Sequence, residues 1–237
     1  MTLTKPDGQH SRDNETQHAL VSVIIPVYNR EEYIGAAINS VLNQDYPSIE
    51  IIVVDDGSTD STPEILKSFE SKITVLNQPN KGPSAARNFG IRHASGSVIG
   101  LLDSDDLWPE GRLTALIPYI KEGHSIVRGL TRYIRDEGTE KQSVSEYHVV
   151  AINVGACLYD ATVFTNVGPF DETMVYAEDL DWDIRSRECG YTELQVPVPA
   201  LQHRRHDTNL TNIYEKVHQG KIRAFEKKVL RAQQRNQ

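Results

Sequence analysis

The sequence is short of cysteine. Cys157 and Cys189 are the only two in 237 residues, and they lie far apart. No Cys-x-x-Cys spacing occurs, so neither a disulfide framework nor a zinc knuckle is indicated, and buried free thiols are expected. Long apolar runs are also missing. No stretch approaches the ~18 apolar residues of a membrane span. Met1 to His18 is polar, mixed in charge and without the apolar centre of a signal peptide. The expectation is a cytoplasmic protein. Positive charge is in deficit, with a formal net charge of −8. That argues against nucleic acid as the main partner, because binding a phosphate backbone needs basic surface. It leaves room for a small phosphorylated ligand whose charge a metal ion neutralises. The Gly-x-Gly-x-x-Gly of a dinucleotide-binding dehydrogenase is absent after the first strand. Pro26-Val27-Tyr28-Asn29-Arg30-Glu31 stands there instead. The basic glycine-rich loop of a nucleotidyltransferase is absent too.

What is present suits a soluble α/β protein. A chain of 237 residues with 38% apolar and 24% charged side chains fits one large domain or two small ones. Its most informative stretch is Leu101-Leu102-Asp103-Ser104-Asp105-Asp106-Leu107-Trp108. An apolar run there ends in three carboxylates within four residues. Such crowded acids repel one another, and a hard divalent cation relieves the repulsion. Cations of that kind often arrive with phosphates, so a metal-diphosphate site is one reading. A solvated acidic turn capping a helix at Pro109 is the other.

The chain before this stretch alternates strands and helices. Leu20 to Ile25 reads as a β-branched strand, and Glu31 to Asn43 as a helix, with Ile34, Ile38, Val41 and Leu42 at helical spacing. Glu50 to Val54 is apolar throughout, as in a parallel strand covered on both faces. It ends in Asp55-Asp56-Gly57-Ser58-Thr59-Asp60. Ser61 to Glu64 opens a second helix, Ile73 to Leu76 forms a third strand, and Ser84 to Ile91 a third helix. Three strand ends thus deliver polar or acidic side chains: Tyr28-Asn29, Asp55-Asp56 and Asp103 to Asp106. Open α/β sheets bind ligands at that edge.

The second half is less regular. Gly111 to Lys121 reads as a helix and Ser125 to Gly129 as a strand. Tyr133 to Tyr147 reads as a polar loop or hairpin, and Val149 to Tyr159 as β-like. Gly168 to Glu172 is a turn, and Ala177 to Glu188 a helix with four carboxylates in the six residues from Glu178. The helix dipole accounts for some of these acids but not for their density. Gln195 to Pro199 reads as a proline-broken extended segment. Ile213 to Gln233 reads as a final basic helix. A response-regulator receiver would place its acid pair on the opening strand of a domain half this length. An aspartyl phosphatase would separate its two acids by one residue.

Taken together, the segments resemble glycosyltransferase family 2. Val21 to Asn29, Glu50 to Asp60 and Gly82 to Gly90 are similar to the family's first three conserved stretches. Asp103-Ser104-Asp105-Asp106 is similar to its Asp-x-Asp metal motif. Gly168-Pro169-Phe170-Asp171-Glu172 followed by Glu178-Asp179 is similar to its later acidic motif. The resemblance covers about Val21 to Thr211. It implies an α/β GT-A fold: a Rossmann-like mixed β-sheet flanked by helices, forming a single domain with a C-terminal helical extension. The implied layout is a disordered tail over 1–19 and a catalytic domain over 20–211. Residues 20–108 would form its nucleotide-binding half and 109–211 its acceptor-binding half, with a basic helix over 212–237.

The reaction implied is metal-dependent transfer of a sugar from a nucleoside-diphosphate sugar, UDP being the first choice, to an acceptor hydroxyl with inversion. Mn²⁺ or Mg²⁺ would sit at Asp105, with Asp103, Asp106 and His206 as further candidate ligands. Asp56 would recognise the base, with Pro26 and Tyr28 as the wall against its ring. Asn29, Arg30, Asp103, Ser104 and Glu178 complete the implied donor site. Arg87 would pair with phosphate or lock the metal loop through an acid. Asp179 would be the catalytic base, with Glu178 as its rival. His203 and His206 are either donor contacts or surface histidines. The Gln-x-x-Arg-Trp motif of processive synthases is absent, which favours a single addition in glycan or polysaccharide biosynthesis, onto a glycan or a lipid-linked acceptor. A catalytically inactive nucleotide-sugar-binding module is the alternative. The terminal helix would either rest on the anionic inner face of a membrane, or make a dimer contact or pack on the core.

Overall fold

The computed structural model describes residues 18–135, 146–148, 153–209 and 212–235. The N-terminal tail up to residue 17 and the interior of the polar stretch after Tyr133 lie outside the described residues. The first half is built as its apolar runs dictate. Strands β1 (Val21–Val27), β2 (Ile49–Asp55), β3 (Thr74–Asn77) and β4 (Val98–Leu101) alternate with helices α1 (Ile34–Leu42), α2 (Thr62–Lys67) and α3 (Pro83–His93). Next come α4 (Arg112–Lys121), β5 (Ile126–Arg135), a short 3₁₀ turn (Val154–Ala156), β6 (Cys157–Asp160) and α5 (Thr162–Val167). Helix α6 (Glu178–Glu188), β7 (Glu193–Arg205) and α7 (Tyr214–Arg235) complete the chain. Among the described residues the strands form one sheet of seven, in the order β3-β2-β1-β4-β6-β5-β7.

The pairing is parallel from β3 through β4. Strand β6 then runs antiparallel to both β4 and β5, so the sheet is mixed. The chain leaves β1 toward β2 on one side, and β4 lies on its other side. That reversal opens a crevice beyond the carboxyl ends of β1 and β4, where sheets of this kind bind ligands. Burial follows the strand period of two. Val21, Val23, Ile25 and Val27 pack with Ile34, Ile38 and Val41 of α1 and with Leu113, Leu116 and Ile117 of α4. Ile24, Ile52 and Val54 face the other way, toward Ala86 of α3, with Phe164 of α5 and Trp182 of α6 in the same cluster. Gly90 lets α3 lie close on β1, since a Cβ there would stand 2.4 Å from Ile24 Cγ2.

Three expectations change. The first helix starts at Ile34 rather than Glu31. The Glu31 side chain instead accepts from Ser61 N at 2.7 Å and ties the loop after β1 to the start of α2. The polar loop expected from Tyr133 begins later, because β5 runs on to Arg135 against β7. The proline-broken segment is part of a thirteen-residue strand, β7. It lies at the end of the sheet, where a missing N–H breaks no ladder. Its register against β5 slips between Arg128 and Leu130, and again before Thr131, and these irregularities take up Pro197 and Pro199. Gly129 sits at that point because a Cβ would come within 2.5 Å of Val198 O.

Candidate active site

The crevice collects side chains from the ends of β1, β2, β4 and β7 and from the start of α6. Pro26 is buried in β1, and Tyr28 stands beyond it at 43% exposure on the rim. Asn29 takes a left-handed backbone, φ 48°. Its Oδ1 accepts from Thr59 N at 2.7 Å, and its own N–H donates to Ser58 Oγ at 3.0 Å. The loops after β1 and β2 therefore form one wall. Asp56, at the end of β2, is buried. Its Oδ1 accepts from Gln78 Nε2 and Lys81 N at 2.7 and 2.8 Å, and its Oδ2 accepts from Gly82 N at 2.8 Å. Asp56 thus shapes the loop leading into α3 and keeps one lone pair of Oδ2 unused by these three bonds.

The acids after β4 point to different partners. Asp103 accepts from Arg87 Nη2 at 2.6 Å, and the other arm of the same guanidinium donates to Glu178 at 2.7 Å. Arg87 is 5% exposed. Burial alone would lower its pKa, but the two carboxylates outweigh burial and hold it charged, above the usual range. One buried cation therefore joins α3, the loop after β4 and the first residue of α6. Ser104 is buried between the acids. Asp105 Oδ2 lies 3.0 Å from His206 Nε2 and 3.4 Å from Arg30 Nε.

Asp106 is 2% exposed and turned to β7. Its Oδ2 meets His203 Nδ1 at 3.0 Å and its Oδ1 accepts from Arg204 N at 2.8 Å. Burial, helped by repulsion from Asp105 and Asp103, lifts its pKa to about 6, with His203 opposing. Both oxygens of this candidate ligand are spent in fastening β7 to the loop.

His206 is not a surface histidine: it is 2% exposed and stacked on Tyr33, with ring centroids 4.7 Å apart. Asn209 accepts from His206 N through Oδ1 at 2.7 Å and donates from Nδ2 to Arg204 O at 3.2 Å, which fixes its amide orientation. The same Nδ2 lies 3.0 Å from His206 Nε2. His206 Nδ1 lies 2.9 Å from Thr208 Oγ1. Asp105 Oδ2 and His206 Nε2 face each other at 3.0 Å. Cis ligands of an octahedral cation with arms of about 2.1 Å stand about 3.0 Å apart. The pair fits a hard divalent cation. No group of three or more His, Cys, Asp and Glu converges to hold a metal among the described residues. A cation held by Asp105 and His206 would complete its shell with phosphate oxygens and water, as Mg²⁺ commonly does.

Asp179 lies one residue beyond the Arg87 bridge, on the first turn of α6. Ala177 before it adopts a left-handed conformation, φ 57°, which turns the chain sharply into the helix. Burial pushes the Asp179 carboxyl up to about 7, repulsion from Glu178 adds to this, and Arg87 opposes it. The site thus sets the raised-pKa carboxyl of Asp179 and the Asp105–His206 pair to either side of the Arg87 bridge. Sequence reasoning missed Tyr33, Thr208 and Asn209, which hold His206. The turn-forming run Asp207-Thr208-Asn209 was the available signal.

Comparison with known proteins agrees with this architecture. The family model described as Glycosyl transferase family 2 matches residues 22–178. The minor teichoic acid biosynthesis protein GgaA of Bacillus subtilis is 33% identical over 184 residues, covering 68% of this chain and 41% of that protein. WfgD of Escherichia coli, a UDP-Glc:alpha-D-GlcNAc-diphosphoundecaprenol beta-1,3-glucosyltransferase, is 35% identical over 73% of this chain and 74% of its own length. The chain spans 19% of a glycosyltransferase of Rickettsia bellii, so some relatives are much longer. Among solved structures, S. aureus TarS 1-349 in complex with UDP-GlcNAc superposes with a TM-score of 0.68 at 25% identity, covering 82% of this chain and 61% of that one. The mannosyltransferase PcManGT of Pyrobaculum calidifontis, at 20% identity and a TM-score of 0.72 over 90% of this chain and 65% of its own, shares the fold.

Proposed function

The chain belongs to glycosyltransferase family 2, and from that premise we propose that it transfers a sugar from a nucleoside-diphosphate sugar to an acceptor hydroxyl with inversion. The observation that carries the reading is the Arg87 bridge. It sets Asp179, with its pKa near 7, next to the loop bearing Asp105. A base near neutral pH is half ionised at the operating pH, which suits proton abstraction. Asp179 takes the acceptor hydroxyl's proton as that oxygen forms its bond to the anomeric carbon. The bond from that carbon to the diphosphate oxygen breaks with its electron pair, and the nucleoside diphosphate leaves. Asp105 and His206 are the residues that would hold a divalent cation, Mn²⁺ or Mg²⁺. Bound there, it would supply charge neutralisation for the departing diphosphate.

Tyr28 and Pro26 form the wall for the nucleotide ring, and Asp56 accepts from the base. Asn29 and Ser104 shape the donor site between these walls, and Arg30 stands beside Asp105. Asp103 and Glu178 hold Arg87, and through it the distance between donor loop and base. Asp106 fastens β7, whose last residue directly precedes His206. The uridine donors named for WfgD and for the TarS complex make UDP-sugars the first to test. A single, non-processive addition onto a glycan or lipid-linked hydroxyl is the mode we propose, and the acceptor in WfgD's name supports a lipid-linked hydroxyl. The test is a panel of UDP-, GDP- and dTDP-sugars with Mn²⁺, Mg²⁺ or chelator. Binding is read by calorimetry and turnover by release of nucleoside diphosphate. Metal-dependent release from one donor class is expected. Donor binding with no release against any acceptor would leave a binding module instead.

A further inference from the structure

Helix α7 uses one face against its own chain and leaves the opposite face open. Along its 22 residues, Ala224 is buried, and Val217, Gly220, Lys227 and Arg231 are half-buried. These five positions recur at steps of three and four and form one stripe. It packs tightly. A Cβ at Gly220 would meet Tyr176 O at 2.5 Å, Ala224 joins Met174, Leu180 and Ile184, and Lys227 pairs with Asp171. Arg231 reaches Asp181 at 3.1 Å and Glu188 at 2.8 Å. Four basic side chains of α7 are thus committed inward, including Arg235 on Glu188 at 3.2 Å and Arg223 on Thr173 at 3.3 Å among contacts to the body.

A second stripe faces solvent. Ile222, Phe225 and Val229 are 47, 52 and 55% exposed, and His218 and Ala232 continue the row in both directions. The steps from His218 to Ala232 are four, three, four and three, which is the spacing of coiled-coil a and d positions. Ile222 and Val229 fall at a, Phe225 and Ala232 at d. Lys221 and Lys228 then occupy g, and Glu226 occupies e. In a parallel pair each g residue meets the e residue five positions on in its partner. Lys221 therefore meets Glu226 of a second copy, twice, about a two-fold axis. An antiparallel pair would instead set Lys221 against Lys228.

We propose that the outer face of α7 binds a second copy of this chain as a parallel, two-fold helix pair seamed by Ile222, Phe225 and Val229. The charge pattern supports this occupant, because the acidic Glu226 beside the seam complements Lys221 of a second copy. The pairing is independent of the reaction proposed above.

The test is sedimentation velocity on the whole chain across about 1 to 100 μM, which spans the weaker range of specific association. The proposal expects the mass of two chains, falling to one on dilution. Lys221→Glu should weaken association at least about tenfold by placing Glu against Glu226, and the double variant Lys221→Glu, Glu226→Lys should restore it. Phe225→Asp should be monomeric with unchanged circular dichroism. A single-chain mass at every concentration overturns the proposal. So does a dimer indifferent to Lys221→Glu and Phe225→Asp, which would use another surface. A monomer that instead pellets with phosphatidylglycerol vesicles would assign the stripe to lipid.

Discussion

Replacing Arg87 with methionine removes the guanidinium and keeps most of its apolar stem. Two carboxylates then lose their shared partner. Asp103 is 38% exposed as a side chain, so water takes over much of its solvation. Glu178 is 11% exposed as a side chain and has no such recourse. Breaking a buried pair by removing one partner costs about 3–5 kcal/mol, and with one arm relieved by solvent the lower end, about 3 kcal/mol, applies. With a urea slope of about 2–3 kcal/mol/M for a chain of this size, the unfolding midpoint should fall by about 1–1.5 M. A second effect follows from the sign of the interaction. Arg87 lowers the pKa of Asp179 from the higher value that burial would set. Without it, the rising limb of kcat/KM should move above pH 7. Adding Glu178→Gln to Arg87→Met should recover part of both losses. Urea melts followed by pH–rate profiles read the two together. An unchanged midpoint and an unmoved limb would refute the idea that Arg87 couples the loop after β4 to α6.

Asp179 gives a prediction of opposite sign for stability. Its native pKa, about 7, lies above the 3.8 of an ordinary aspartate, so the native state holds the proton across that window. Stability is therefore present at low pH and lost as pH rises from about 4 to 7. Asp179→Asn should flatten this slope and be more stable at pH 8 by on the order of 2–4 kcal/mol, read by urea melts at pH 5 and 8. Asn209→Ala frees the His206 ring and should weaken Mn²⁺ binding by about 10–100-fold, read by electron paramagnetic resonance without any donor. Gly129→Ala forces a methyl into Val198 O and should destabilise by about 1–3 kcal/mol, read as a lower thermal midpoint.

The first half of the fold was legible for a physical reason. Parallel strands covered on both faces read as continuous apolar runs, and Val21 to Val27 and Ile49 to Asp55 are of that kind. Their ends mark the ligand edge of the sheet, so Tyr28, Asp56 and Asp103 to Asp106 were found together. The edge strand β7 was not legible, since Pro197 and Pro199 read as breaks and only the irregular pairing with β5 accommodates them. The division of labour among the three acids after β4 was also hidden. Asp103 turns to Arg87, Asp105 to His206 and Asp106 to His203, and the two histidine contacts span 101 and 97 residues. Nothing local distinguishes these carboxylates. The shell around His206 has the same origin, because Tyr33, at the start of the fold, meets it from the far end of the sequence.

Asp179 is proposed as the base of a transfer reaction whose donor site is built independently of it. The direct measurement is single-turnover transfer by Asp179→Asn beside donor affinity by calorimetry, with the donor and metal identified from the panel. The claim predicts donor affinity within about threefold of the unaltered protein and a transfer rate lowered by about 10²–10⁴-fold, the usual contribution of a general base. Transfer at the original rate with donor affinity intact would contradict it.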